Sequence, residues 1–124
     1  MSKELTVLAV DDDMINLKLL NSILMKNNDV KEVIEAKNGE EAVNRIKTRP
    51  DIDLILLDII MPVMNGLEVL KVVRSDSNIR QVPVIVLTTD ETKKREALEL
   101  GANDFITKPI RSSELTQKIN SNIR

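Results

Sequence analysis

Five short apolar runs recur along the chain, separated by stretches whose apolar positions fall at helical spacing. The first, Leu5–Val10, is nearly unbroken and rich in Val and Leu, the pattern of a strand buried on both faces. A weaker run covers 33–36 and a fully apolar one 54–57. A fourth covers 82–87 with Pro83 near its start, and Phe105-Ile106 forms a short fifth. After the first run, Ile15, Leu19 and Ile23 stand at i, i+4 and i+8, with Leu20 and Leu24 on an adjoining track, which predicts a helix with one buried side. Ala42, Val43 and Ile46 predict a second helix after the Asn38-Gly39 turn; Leu67, Leu70 and Val73 predict a third beginning near Gly66. Ala97, Leu98 and Leu100 lie in a fourth that Gly101 ends as its C-terminal cap. Leu115, Ile119 and Ile123 stripe a fifth, with Ser112 or Ser113 as the capping residue.

Five strands alternating with five helices, joined by right-handed crossovers, give an α/β doubly wound parallel sheet with helices on both faces. No repeat, low-complexity tract or linker interrupts the pattern, so one domain over residues 1–124 is expected. In such sheets the site lies outside the carboxyl ends of the strands, and the polar residues that end each apolar run are the ones to inspect.

Composition narrows the chemistry. The chain has 42% apolar and 31% charged residues, a globular balance, and no apolar run approaches the roughly 20 residues that span a bilayer. The start Met1-Ser2-Lys3-Glu4 lacks the apolar core of a secretion signal, so a cytoplasmic home and no membrane association are expected. Cys and His are both absent, which excludes a Ser-His-Asp or Cys-His hydrolase, a usual zinc site and an internal phosphohistidine. A net charge of -2 without a basic stripe gives no support to direct nucleic-acid binding; Lys93-Lys94-Arg95 is best explained as a solvated helix face.

The first strand ends in Asp11-Asp12-Asp13, the third in Asp58, the fourth in Thr88-Thr89, and the fifth is followed by Lys108-Pro109. Asp13, just before the first helix, reads as its N-cap. Asp11, Asp12 and Asp58 converging at one sheet edge repel one another unless a cation or protons compensate them. Few, hard oxygen ligands with room for water and phosphate oxygens suit Mg²⁺. Asp58 emerges from a dry strand as a nucleophile toward phosphorus, Lys108 supplies a positive charge, and the Thr88 hydroxyl can donate to a phosphoryl oxygen.

These motifs resemble the receiver domain of two-component response regulators over essentially the whole chain. They are Val10-Asp11-Asp12-Asp13, Leu57-Asp58-Ile59-Ile60-Met61-Pro62 with Asn65-Gly66, Pro83 through Thr88, and Gly101 through Pro109. The resemblance implies a flavodoxin-like strand order of 2-1-3-4-5. It implies that Asp58 is the phosphoacceptor and that Asp11, Asp12, Asp58 and the backbone carbonyl of Ile60 hold Mg²⁺, Asp11 directly or through water. Thr88 becomes the switch hydroxyl, Lys108 the phosphate-binding lysine with a cis peptide before Pro109, and Phe105 the switch aromatic that turns inward as Thr88 moves. Ile60 and Asp90 occupy positions that tune phosphoryl lifetime, Ile60 by hindering water and Asp90 by orienting it. The implied partners are a histidine kinase or histidine phosphotransfer protein that supplies the phosphoryl group by way of the first helix, and an output protein of unknown identity on the face of the fourth helix, fifth strand and fifth helix. Such a module is a signalling switch that catalyses only its own phosphorylation and dephosphorylation.

Three rivals are weaker. An aspartyl phosphatase pattern needs a second Asp two residues after the nucleophile, where Ile60 stands. A flavin binder needs an aromatic to stack and a phosphate cradle where Asp11, Asp12 and Asp13 would repel phosphate. An interaction scaffold without phosphorylation has no use for a complete acceptor set.

Overall fold

The computed structural model describes residues 4–76, 79 and 81–123, so Met1, Ser2 and Lys3 lie outside the described residues. The strands are β1 (Leu5–Val10), β2 (Val30–Ala36), β3 (Leu54–Asp58), β4 (Val84–Thr88) and β5 (Asp104–Thr107). The helices are α1 (Met14–Met25), α2 (Gly39–Thr48), α3 (Gly66–Ser75), α4 (Lys94–Glu99) and α5 (Ser112–Asn122). All neighbouring strands run parallel in the expected order β2-β1-β3-β4-β5.

Every residue of β1, β3 and β4 is buried, which is why their sequences read as continuous apolar runs. β2 is an edge strand and alternates instead, so its first three residues, Val30, Lys31 and Glu32, fall outside the run visible in the sequence. Two apolar layers sandwich the sheet. Leu17, Leu20 and Leu24 of α1 and Leu115 and Ile119 of α5 pack against one face. Residues of α2, α3 and α4, among them Ile46, Leu70 and Ala97, pack against the other.

Three local expectations change. In α1 the buried residues are Leu17, Leu20 and Leu24, whereas Ile15 is 76% and Leu19 42% exposed and Ile23 only half-buried. Met14, Ile15, Leu17, Leu19, Leu20, Ile23, Leu24 and Met25 surround most of this helix, so periodicity alone does not fix its phase. Asp13 does, by accepting from the Ile15 N–H as the expected N-cap. The fourth helix is shorter than its charged sequence suggests: Glu91–Lys93 forms a 3₁₀ turn before α4, and Leu98 is exposed. Gly101 ends α4 with φ +107, as expected of a glycine C-terminal to a helix. At α5 the N-cap is Arg111, without a side-chain bond, and Ser112 and Ser113 are already helical.

The corrected phase of α1 makes a direct prediction. Leu20→Ala should cost about 2–5 kcal/mol in denaturant unfolding, and Ile15→Ala should stay within about 0.5 kcal/mol of the parent chain. The reverse ranking would show that the helix is rotated from the position described.

Candidate phosphoacceptor site

Sheet register alone gathers most of the site. Val10 pairs with Leu57, so Asp11 and Asp58 follow side by side on adjacent strands. The period of two puts both on the face already occupied by Ala9 and Leu56. Asp11 remains in the ladder, donating its N–H to the Ala36 carbonyl at 3.1 Å. On the other side Thr88 pairs with Thr107, and Lys108 follows on the face of Ile106. Thr88 falls on the opposite face, in line with Val84 and Val86, where Phe105 also lies.

The result is a compact charge cluster. Lys108 Nζ lies 2.8 Å from Asp11 Oδ2 and 3.5 Å from Asp58 Oδ1. Asp11 is fully buried, Asp58 is 3% exposed, and Asp12 stands exposed at the mouth. One carboxylate oxygen from each aspartate lies within 4.8 Å of the others. The second Asp11 oxygen, Oδ1, accepts from the Asp13 N–H at 2.9 Å, so Asp13 serves both as helix cap and as a backbone donor that orients Asp11. The Lys108–Pro109 peptide is cis, as the motif implied.

The loop after Asp58 is set by backbone contacts. The Ile60 N–H points at Asp58 Oδ1 across 3.4 Å, while its side chain is half exposed at the rim. Gly66 donates to the Ile59 carbonyl at 2.8 Å, and a Cβ there would sit 2.2 Å from the Asp58 carbonyl oxygen. Only glycine allows that approach. Asn65 and Glu68 form a reciprocal capping box that starts α3 at this point.

Thr88 is fully buried, and its Oγ1 accepts from the Asp90 N–H at 3.1 Å. The Asp90 carboxylate turns along the chain instead of into the site: Oδ1 accepts from the Thr92 N–H and hydroxyl. Those bonds, the hydroxyl first, hold its pKa below the ordinary carboxylate range. Through Oδ1, Asp90 is also the N-cap of the 3₁₀ turn. Phe105 is 6% exposed and is buried within the apolar layer that holds Val84, Val86 and Ala97. Sequence reasoning missed Thr92, and it missed Arg74, which donates to the Gly101 and Val82 carbonyls and to Asn103 Oδ1. Neither carries a local signal, since each acts through a turn or a carbonyl that only the fold supplies.

The model of the response regulator receiver domain matches residues 7–120. The chain belongs to the response regulator receiver family. Chemotaxis protein CheY1 of Helicobacter pylori is 34% identical over 115 residues, covering 91% of this receiver and 92% of that protein. Hybrid signal transduction histidine kinase M of Dictyostelium discoideum is 39% identical over 110 residues, which are 84% of this receiver but 4% of that much longer protein. The receiver domain of sensor histidine kinase PA1611 from Pseudomonas aeruginosa PAO1, solved with a magnesium ion coordinated in its active site cleft, superposes with a TM-score of 0.85 at 27% identity, covering 95% of this receiver and 96% of that chain. The flavin-binding and phosphatase alternatives give way to the receiver family.

In this receiver the donor set fits a hard divalent cation: three carboxylates, one of them open to solvent, with a single ammonium to balance them. Burial pushes the Asp58 carboxyl up to about 6; Lys108 opposes the rise and Asp11 adds to it. Because this folded-state pKa lies above the unfolded value, the folded chain binds the extra proton between about pH 4 and 6. Stability therefore falls as pH rises through that window and stays lowered above it. In EDTA, Asp58→Asn should stabilise the receiver by up to about 3 kcal/mol at pH 7.5, with the gain vanishing near pH 4. Urea unfolding at the two pH values tests this, and a variant no more stable than the parent at pH 7.5 contradicts it.

Proposed function

We propose that this receiver takes a phosphoryl group onto Asp58 from a phosphohistidine of a histidine kinase or histidine phosphotransfer protein. The observation that carries the reading is the convergence of Asp11, Asp12 and Asp58 within 4.8 Å around the Lys108 ammonium. An Asp58 carboxylate oxygen attacks phosphorus, the P–N bond to the donor imidazole breaks, and its electron pair stays on that nitrogen. Asp11, Asp12, Asp58 and the Ile60 carbonyl are the residues to hold Mg²⁺, which when bound neutralises the acids and draws in the phosphoryl oxygens. The magnesium in the related Pseudomonas receiver supports this assignment. Lys108, released from Asp11, pairs with the incoming oxygens, and Thr88 supplies a hydroxyl donor. The shift of Thr88 is relayed to the layer that holds Phe105, which alters the face formed by α4, β5 and α5.

Exposed Met14, Ile15 and Leu19 on α1, beside the acids, supply the apolar surface for the donor protein. The output partner is a protein, with no direct role for nucleic acid or membrane, and the module is a switch whose chemistry is confined to its own phosphorylation and dephosphorylation. No described helix is long and apolar enough to cross a membrane; the likeness to the chemotaxis relative is what supports a cytoplasmic setting.

Incubation with acetyl phosphate and Mg²⁺ should add one phosphoryl group by intact mass. The addition should fail without metal and in Asp58→Asn, and modification at another residue would overturn the assignment. Ile60 shields the mouth of the site, so Ile60→Asn should shorten the phosphoryl half-life in the same assay; an unchanged or longer half-life removes that role.

A further inference from the structure

Three hydrogen bonds, two of them converging on one Asp90 oxygen, lead from the buried switch hydroxyl out along the turn that follows β4. Asp90 N–H donates to Thr88 Oγ1 at 3.1 Å. Asp90 Oδ1 in turn accepts from Thr92 N–H at 2.9 Å and from the Thr92 hydroxyl at 2.5 Å. The same turn is braced on its other side, where the Thr107 hydroxyl donates to Glu91 Oε1 at 3.3 Å. Thr107 pairs with Thr88 across the sheet and precedes Lys108, so the turn is tied to both strands that carry site residues.

A threonine hydroxyl has one proton to give and two lone pairs to accept with. With one lone pair taken by Asp90 N–H in a fully buried setting, Thr88 has a defined resting position. Turning toward a phosphoryl oxygen breaks that bond and leaves a backbone N–H to be satisfied elsewhere. The more rigidly Asp90 is held, the less readily its N–H follows Thr88 or finds another acceptor.

We propose that Thr92 is a positioning residue for Thr88: by donating its hydroxyl to Asp90 it fixes the turn that keeps the switch hydroxyl at rest, and so restrains phosphorylation. The inference rests on Asp58 as phosphoacceptor, and Thr92 acts through Asp90 without touching the reacting atoms.

The test is the initial rate of Asp58 phosphorylation by acetyl phosphate with Mg²⁺, in which acetate leaves with the P–O electron pair. Thr92→Val keeps the side-chain volume and the Thr92 N–H bond to Asp90 but removes the hydroxyl donor; it should react about threefold faster than the parent. Thr92→Ser, which restores the donor, should react at the parental rate. In a Thr88→Ala background, Thr92→Val should make no difference, because the restrained hydroxyl is gone. A gain of rate that needs Thr88 is not what simple loss of structure produces. Thr92→Val at or below the parental rate, or an acceleration that persists without the Thr88 hydroxyl, overturns the proposal while leaving Asp58 as acceptor. A parent chain that takes up no phosphoryl group overturns both.

Discussion

Three carboxylates share a space less than 5 Å across, with one ammonium among them, and most of the site's behaviour follows from that imbalance. At an effective dielectric of about 20, each pair of like charges at such a separation repels by a few kcal/mol, and burial of Asp11 and Asp58 keeps water from screening them. Lys108 cancels one charge. The rest of the conflict is relieved either by a proton, toward which burial chiefly and the Asp11 charge to a lesser degree push Asp58, or by a divalent cation at the open Asp12 side. Under the proposed function, a carboxylate prepared in this way is costly at rest and is put to use only when metal and phosphoryl group arrive together.

The fold keeps these charges together by means that are mostly apolar and backbone. β1, β3 and β4 are wholly buried, so their register is fixed by packing on both faces, and a slip of one residue would carry Asp11 or Asp58 into an apolar layer. Gly66 then lets α3 start directly against the Asp58 carbonyl. On the side of β4 the restraint is polar, a chain of hydrogen bonds through Asp90, whose partners lie at the surface. A rigid acidic wall and a lightly held hydroxyl are what a switch requires, since only one of its sides has to move.

Much of this was legible in the sequence because it is written locally. Apolar runs ending in Asp11, Asp58 and Thr88 reveal both the strands and the rim where they meet, and Lys108 next to Pro109 marks the fifth. What was not legible depends on choices that several neighbours make at once. The phase of α1 could not be read from a helix with apolar residues on most sides; the Asp13 cap and the space under Leu17 decide it. Ser112 and Ser113 have the chemistry of caps, yet the helix begins with Arg111 as its boundary, so neither is used as one. Asp90 carries a carboxylate whose part in capping the 3₁₀ turn, with Oδ1 accepting from Thr92, becomes visible only in the fold.

The account depends on the acids forming one cation site, and a magnesium titration followed by amide chemical shifts tests that most directly. It predicts saturable shifts concentrated at Asp11, Asp12, Asp13, Ile60 and Lys108, and affinity lowered at least tenfold by Asp12→Asn. Shifts that never saturate, that centre elsewhere, or that survive Asp12→Asn undiminished would contradict it.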